Sequence, residues 1–440
     1  MKHYLWQVAL LSAVSIGGNI SESLIHPQLI FAQSNGSLKK EAAQVYESSF
    51  QEYQRGNLQG SLDLLQKALP LFRASGDRSG EARTLNGLGT VSEKIGQYFQ
   101  AIDYIQQALK IHRELRDLEQ ESTTLDNLGA VYSSLGQYQK AIDYHEQSLT
   151  IAKQIKNRDN EGSAIHGLGV AYYYLGQYQK AIEYYQQDLT IMKEIKDRHR
   201  EATTLNTLGG AYLALGKYTK AIDYLQQALK IRRELQDRAG EGTTLNSLGG
   251  LYYNLGQYPK SIDYFQQSLK ITQEVGNRSG ESMILYNLGR IDYRLNRLST
   301  AADYLQKSIA ISEELRNNLT DRDKISLFEQ QTNGYKSLSL VQQRQGKFAE
   351  SLIASEGGRA RAFQDLLAQK QNLPKPIIPN FIQLQAIAQR DHSTIVEYNI
   401  IPKFIQDDPR SQAELFIYII TPDGKLTVPG ETHLNSIDIG

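Results

Sequence analysis

The sequence keeps a 40-residue clock. The dipeptide Leu-Gly falls at 88–89, 128–129, 168–169, 208–209, 248–249 and 288–289. Tyrosine follows at Tyr104, Tyr144, Tyr184, Tyr224, Tyr264 and Tyr304, each behind an acid (Asp103, Asp143, Glu183, Asp223, Asp263, Asp303). Two independent positions that each recur six times at one spacing leave chance out of the account. Self-similarity at such a period is the mark of one supersecondary unit copied along a line.

The unit 201–240 shows how it folds. Leu205, Leu208, Tyr212 and Leu215 are spaced three, four and three apart and share one face of a helix. Gly216 ends that helix, because glycine enters the left-handed region without steric penalty. Lys217-Tyr218 form the turn, and Ile222, Leu225 and Leu229 line one face of a second helix. The small Gly209 and Ala221 let the two helices approach closely. Neither stripe can be buried within its own helix, so successive hairpins must stack into a continuous core.

Between units runs a recurring Asp/Asn-Arg-x-x-Glu: Asp77-Arg78, Asn157-Arg158, Asp197-Arg198, Asp237-Arg238 and Asn277-Arg278, with Glu81, Glu161, Glu201, Glu241 and Glu281. An Asp or Asn just before a helix satisfies free backbone N–H groups, and a Glu in the first turn suits the dipole. A periodic acidic motif also has a metal-site reading, against which the capping role is preferred. Three departures stand out. Ser48-Ser49 replace Leu-Gly in the first unit, as suits a terminal cap. Asn296 replaces the turn glycine of the seventh unit. Asp188 stands where other units have Ala108, Ser148, Ala228 and Ser268, and nothing in the sequence accounts for it beyond a polar contact or a weak point.

These residues resemble the tetratricopeptide consensus, a Leu-x-x-Leu-Gly-x-x-Tyr first helix followed by an alanine and an aromatic on the second. The resemblance covers 39–318, with a period longer than the usual ~34 residues, like the variant in kinesin light chains, where the second helix and its exit are lengthened. It implies an all-α fold, a right-handed α-α superhelical solenoid of seven repeats, whose first helices line the concave face. The family's groove positions fall on Asn86, Asp126, His166, Asn206, Asn246 and Tyr286, and on their neighbours Asn127 and Asn287. Tyr174, Asn254 and Arg294 come farther along the same helices. Asparagine donates and accepts at once, so such a row can hold an extended backbone. The alternative is that these side chains only hydrogen-bond between neighbouring repeats. The regular Lys/Arg set that clamps a terminal carboxylate is absent.

Composition narrows the functions. Lys plus Arg and Asp plus Glu both number 48, so no long-range attraction to nucleic acid or anionic lipid is expected. With no cysteine there is no disulfide, thiolate metal site or cysteine nucleophile. Residues 1–32 resemble a secretory signal: Lys2, an apolar run from Tyr4 to Gly18, and Ala32 before Gln33. The alternative is an uncleaved anchor at the membrane. A linker is expected at 33–38.

After Arg316 the clock breaks, since Gly346 comes 50 residues after Asn296. Tyr335, Leu338, Val341, Phe348 and Leu352 point to one divergent hairpin within 319–372, and Pro374, Pro376 and Pro379 to a linker over 373–392. Beyond it the pattern turns to strand: 393–400, 414–421, a Pro422-Asp-Gly-Lys425 turn and a return at Leu426–Val428. The Gly-Arg-Ala-Arg-Ala-Phe segment, the Ile-Val-Glu-Tyr strand and the Ile-Thr-Pro-Asp-Gly-Lys hairpin are similar to the opening of a CHAT domain. This caspase-like module follows tetratricopeptide arrays in bacteria. The family's catalytic histidine and cysteine lie downstream of that hairpin, and His392 and His433 match neither, so 393–440 reads as a truncated, incomplete β-containing segment.

The expected function is a protein–protein interaction scaffold, exported if the signal is cleaved. Its partner is a peptide or protein, with no nucleic acid, small-molecule substrate, cofactor or metal, and no catalysis. The alternative is the sensing arm of a CHAT-type protease whose catalytic part is missing from this chain.

Overall fold

The apolar faces expected within 201–240 are the faces that pack. Leu208, Tyr212, Leu225 and Leu229 are buried in one cluster that reaches into the neighbouring hairpins, from Ala181 to Ile271. Leu215, expected on the same face, is exposed because it sits at the C-cap, past the last full turn.

The computed structural model describes residues 27–317, 328–357, 381–390, 392, 395–402, 413–421, 423, 425–427 and 432–434. The expected signal up to residue 26 and the segment with Pro374, Pro376 and Pro379 lie outside them.

Fourteen of the described helices form seven pairs. The first is α1 (Pro27–Gln54) with α2 (Leu58–Ser75), then α3 (Arg78–Ile95) with α4 (Tyr98–Leu115) and α5 (Leu118–Ser134) with α6 (Tyr138–Gln154). There follow α7 (Arg158–Tyr174) with α8 (Tyr178–Ile195), and α9 (Arg198–Ala214) with α10 (Tyr218–Glu234). The last two are α11 (Arg238–Asn254) with α12 (Tyr258–Glu274), and α13 (Arg278–Arg294) with α14 (Leu298–Asn317). Each helix packs most extensively on its pair partner and next on a helix of an adjoining pair, giving the right-handed solenoid.

Several expectations change in detail. Residues 33–38, expected to be a linker, continue α1 despite the Asn35-Gly36 pair, because that helix packs along its length on α2. The extra length expected in the second helix is shared: α9 and α10 each have 17 residues. Tyr218 belongs to α10 rather than the turn, with Lys217 as its N-cap.

Both turns of the unit use left-handed backbone. Gly216 has φ +68° and Asn296, its one replacement, φ +58°. The exit turns do the same with Arg116, Lys156, Lys196 and Gln236, which no glycine signal marks. There the Asp or Asn caps as expected. Asp77, Asn157, Asp197, Asp237 and Asn277 each accept from the backbone N–H three residues on, at 2.9–3.0 Å. The glutamates do more than suit the dipole. Arg78, Arg158, Arg198, Arg238 and Arg278 donate to the Glu three residues on (2.6–2.7 Å) and to a second Glu at the end of the same hairpin. Glu81, Glu121 and Glu241 also accept from Arg73, Arg113 and Arg233 of the preceding hairpin. No group of three or more metal-ligating side chains gathers among the described residues.

The tyrosines form a second ladder. Tyr132–Tyr144, Tyr172–Tyr184, Tyr212–Tyr224 and Tyr252–Tyr264 stack at 5.3–5.4 Å. Lys140, Lys180, Lys220 and Lys260 lie 5.0–5.2 Å above the first ring of each, a cation–π contact.

The divergent hairpin is present as α15 (Phe328–Arg344), Gly346 at φ +75° and a helix over 348–357. Leu338, Val341 and Leu352 are buried, while Phe348 is exposed. Within the expected linker 373–392, Phe381–Arg390 form a helix, because Phe381, Leu384 and Ala388 recur at helical spacing once the prolines end. The strands are β1 (Ile395–Pro402), β2 (Ala413–Ile420), β3 (Leu426–Thr427) and β4 (Thr432–Leu434). β2 is central and antiparallel to the others, pairing Ile395 with Ile420 through Pro402 with Ala413.

Two outcomes test this packing. A Cβ on Gly209 would lie 2.6 Å from Leu225 Cγ, whereas one on Gly210 meets nothing within 4 Å. Gly209→Ala is therefore expected to lose ~1–3 kcal/mol in urea unfolding, and Gly210→Ala to gain up to ~1 kcal/mol. His112 is fully buried with both ring nitrogens unpartnered, and burial lowers its pKa below the ordinary 6.5. The unfolded chain takes up a proton there before the folded chain does. Stability should fall as pH drops below about 6.5 and return above it, and His112→Leu should flatten that slope in pH-dependent denaturation.

Candidate functional site

Successive first helices touch one another along α1, α3, α5 and α7 and again along α9, α11 and α13, whereas successive second helices stand farther apart. The first helices therefore line the inner side of the curve. Along them run the residues singled out from sequence: Asn86 on α3, Asp126 and Asn127 on α5, His166 and Tyr174 on α7. Asn206 follows on α9, Asn246 and Asn254 on α11, and Tyr286, Asn287 and Arg294 on α13. Tyr174, Asn254 and Arg294 are exposed and the rest are half-buried, as side chains between a core and an open face should be.

Their partners differ along the row. Asn127 Nδ2 donates to Asn86 Oδ1 at 3.1 Å, so between these two repeats the cross-repeat bond is made. Asp126 Oδ1 lies 2.7 Å from Nδ1 of His145, which is buried on α6. His166 Nδ1 lies 2.8 Å from Asp188 Oδ2, buried on α8, and Thr204 of the next repeat donates to the same oxygen at 2.6 Å. This is the polar contact that Asp188 required. By contrast Asn206 Oδ1 and Asn246 Oδ1 are buried and have no hydrogen-bond partner among the described residues. A half-buried amide in that condition has an acceptor to spare, which a turn of the amide would bring to the open face.

At the far end the residues converge on aromatic and cationic neighbours. The Arg290 guanidinium lies 5.0 Å from the Tyr253 ring and 5.7 Å from that of Tyr286. With Tyr253 and Arg290, Asn254 and Asn287 line a cleft of about 210 Å³. Arg294 lies in an adjoining cleft with Tyr293 and Val341. Tyr174 is set apart, stacked on Tyr138 of the preceding hairpin at 5.4 Å. The row thus offers hydrogen-bond donors and acceptors in file, ending in rings and guanidinium groups.

Three contributors were not singled out from sequence: His145, Thr204 and Arg290. His145 did carry a signal. It occupies the slot that holds Ile105, Tyr185, Leu225, Phe265 and Leu305 in the other units, where a histidine is out of pattern. Arg290 also carried one, standing where the other units have Thr90, Ala130, Val170, Gly210 and Gly250, whereas Thr204 matches Thr84, Thr124 and Thr244 and carries none.

A family model described as tetratricopeptide repeat matches residues 41–114, 80–154, 159–234 and 240–314, together more than half of the chain. Among curated proteins no match was found. Solved structures do match. A Rap protein complexed with competence and sporulation factor is 18% identical, with a TM-score of 0.54 over 65% of this chain and 80% of that one. The Rap conjugation gene regulator of plasmid pLS20, in complex with the Phr* peptide, is 15% identical, with a TM-score of 0.55 over 69% and 81%. The apo form of RapI is 18% identical, with a TM-score of 0.51 over 63% and 100%. At such identities the likeness is one of fold. The family model, the 40-residue unit and the paired helices agree: the chain belongs to the tetratricopeptide repeat family.

Proposed function

We propose that the chain is an interaction scaffold that holds an extended peptide, or an extended segment of a partner protein, along the inner face of 39–318 and performs no catalysis. The observation that carries this reading is the pair of buried, unpartnered amide oxygens of Asn206 and Asn246, one repeat apart on the half-buried row. An extended backbone offers N–H groups at regular intervals and asks for no particular side chain, which suits an asparagine row. Two of the similar solved structures are complexes with a competence and sporulation factor and with the Phr* peptide, which supports the reading.

A second reading is favoured by the hairpin of β1 and β2 with Thr421 bonded to Lys425 across the following turn. That segment is where the resemblance to a CHAT domain lies, and in a longer product the array would serve as its sensing arm. Reading the DNA past codon 440 tests it: a continuing frame with His-Gly and Cys-containing strands favours it, and unrelated sequence counts against it. We further propose export, with residues 1–32 removed, and the mass of the mature protein checks this. Among the described residues no helix is long and apolar enough to cross a membrane.

The scaffold reading is tested by selecting a displayed random-peptide library on the intact chain. Selected peptides should bind the Asn206→Ala/Asn246→Ala double variant roughly tenfold more weakly, at unchanged helicity by circular dichroism. Equal affinity for both proteins would sink the groove mechanism.

A further inference from the structure

Asp188 breaks the rule of its position. The equivalent residues of the other hairpins are Ala68, Ala108, Ser148, Ala228, Ser268 and Ser308, all buried and all neutral. The serines settle their hydroxyls on the carbonyl 26 residues earlier, at Ser122, Gly242 and Ser282. Asp188 faces Gly162 in that place, and a Cβ there would come within 3.3 Å of Asp188 Oδ1, so the first helix leaves room for the carboxylate. The residue is 1% exposed, with Oδ2 bonded to His166 and Thr204 and Oδ1 bonded to none of the described residues. A buried carboxylate with one oxygen unsatisfied costs stability that alanine or serine would not. A local rule broken at a cost is where function is to be sought.

What the carboxylate holds is His166, one of the inner-face row. Its Nδ1 is tied to Asp188 from below, and its ring rests 5.4 Å from that of Tyr185. A carboxylate accepts, so in the neutral form of the ring Nδ1 carries the proton and Nε2 is left with a lone pair. Nε2 is not shut off in the core, and no described residue hydrogen-bonds to it. The preceding repeat reaches a similar end by the reverse arrangement. There Asp126 is on the inner helix and His145 lies beneath it, so a carboxylate faces the groove.

We propose that Asp188 is a positioning residue that locks His166 as a hydrogen-bond acceptor on the inner face, making His166 specific for a donor of the bound peptide, a backbone N–H or a hydroxyl. This rests on the scaffold reading above. Asp126 and His166 then form an acceptor-only stretch beside the Asn206 and Asn246 amides, and the peptide must present donors to it.

The test uses the intact chain and two substitutions that other repeats already carry, Asp188→Ser and Asp188→Ala. Long-range 1H–15N spectra of the imidazoles, with His166 assigned by its loss in His166→Gln, read which nitrogen is protonated. In the wild type Nδ1 should carry the proton; in both variants the population should move to Nε2–H, while the thermal midpoint rises by about 2–4 °C. Peptides selected on the wild type from a displayed random library should bind both variants at least roughly fivefold more weakly. A wild-type ring protonated at Nε2, or a tautomer unmoved by the variants, overturns the lock whatever the peptides do. A moved tautomer with unchanged affinity overturns the recognition role. If no peptide is enriched on the wild type, the scaffold reading fails and the recognition role fails with it, while the spectra still decide the lock.

Discussion

The structure depends on six glycines against which a neighbouring helix is seated. Gly89, Gly129, Gly169, Gly209, Gly249 and Gly289 lie under Ile105, His145, Tyr185, Leu225, Phe265 and Leu305, and a Cβ on any of them would fall 2.2–2.8 Å from that side chain. The closest approach of two helices sets their spacing and crossing, so the same seat repeated six times gives six similar hairpins. The other ladders then come into register. Tyrosines stack because Tyr212 and Tyr224 are brought opposite each other, and arginines reach two glutamates because the ends of the hairpin meet. The seat tolerates isoleucine, leucine, tyrosine, phenylalanine or histidine above the glycine, and among the seven pairs the first alone puts a side chain below it, the small Ser49.

How far the sequence could be read follows from this. The hairpin is a local object. Its helix faces, its turn glycine and its caps all lie within one unit, so Leu208, Gly216 and Asp237 announce themselves at fixed spacing. Asn296 was legible for the same reason. The left-handed exits at Arg116, Lys196 and Gln236 were not, because the geometry is imposed by the stacking of one hairpin on the next and the residues there merely endure it. The segment 33–38 joins α1 because that helix has a partner in α2, a tertiary fact with no local sign.

The inner row is legible by position and illegible by partner. Asn86 and Asn127 could be placed on the first helices, but their bond joins residues 41 apart and needs the pitch of the solenoid. Asp188 was visible as an anomaly, and its meaning waited on His166 behind it in the chain and Thr204 ahead of it. Each repeat therefore carries its own fold in its sequence and shares its surface chemistry with its neighbours. Asn206 is met by Ser247 where Asn86 has Asn127, whereas Asn246 has Asn287 at that register and its Oδ1 is still unbonded among the described residues.

The shared glutamates carry a consequence for synthesis. Glu81, Glu121 and Glu241 each answer to an arginine of the hairpin made just before them: Arg73, Arg113 and Arg233. A nascent chain leaves the ribosome from its N-terminus, so at these junctions the guanidinium is in place before the carboxylate that pairs with it emerges. Each new first helix meets a finished edge that already holds its docking charge, and growth in the order of translation needs no later rearrangement. The array is in this sense directional, zipped from one end by the order in which its residues are born.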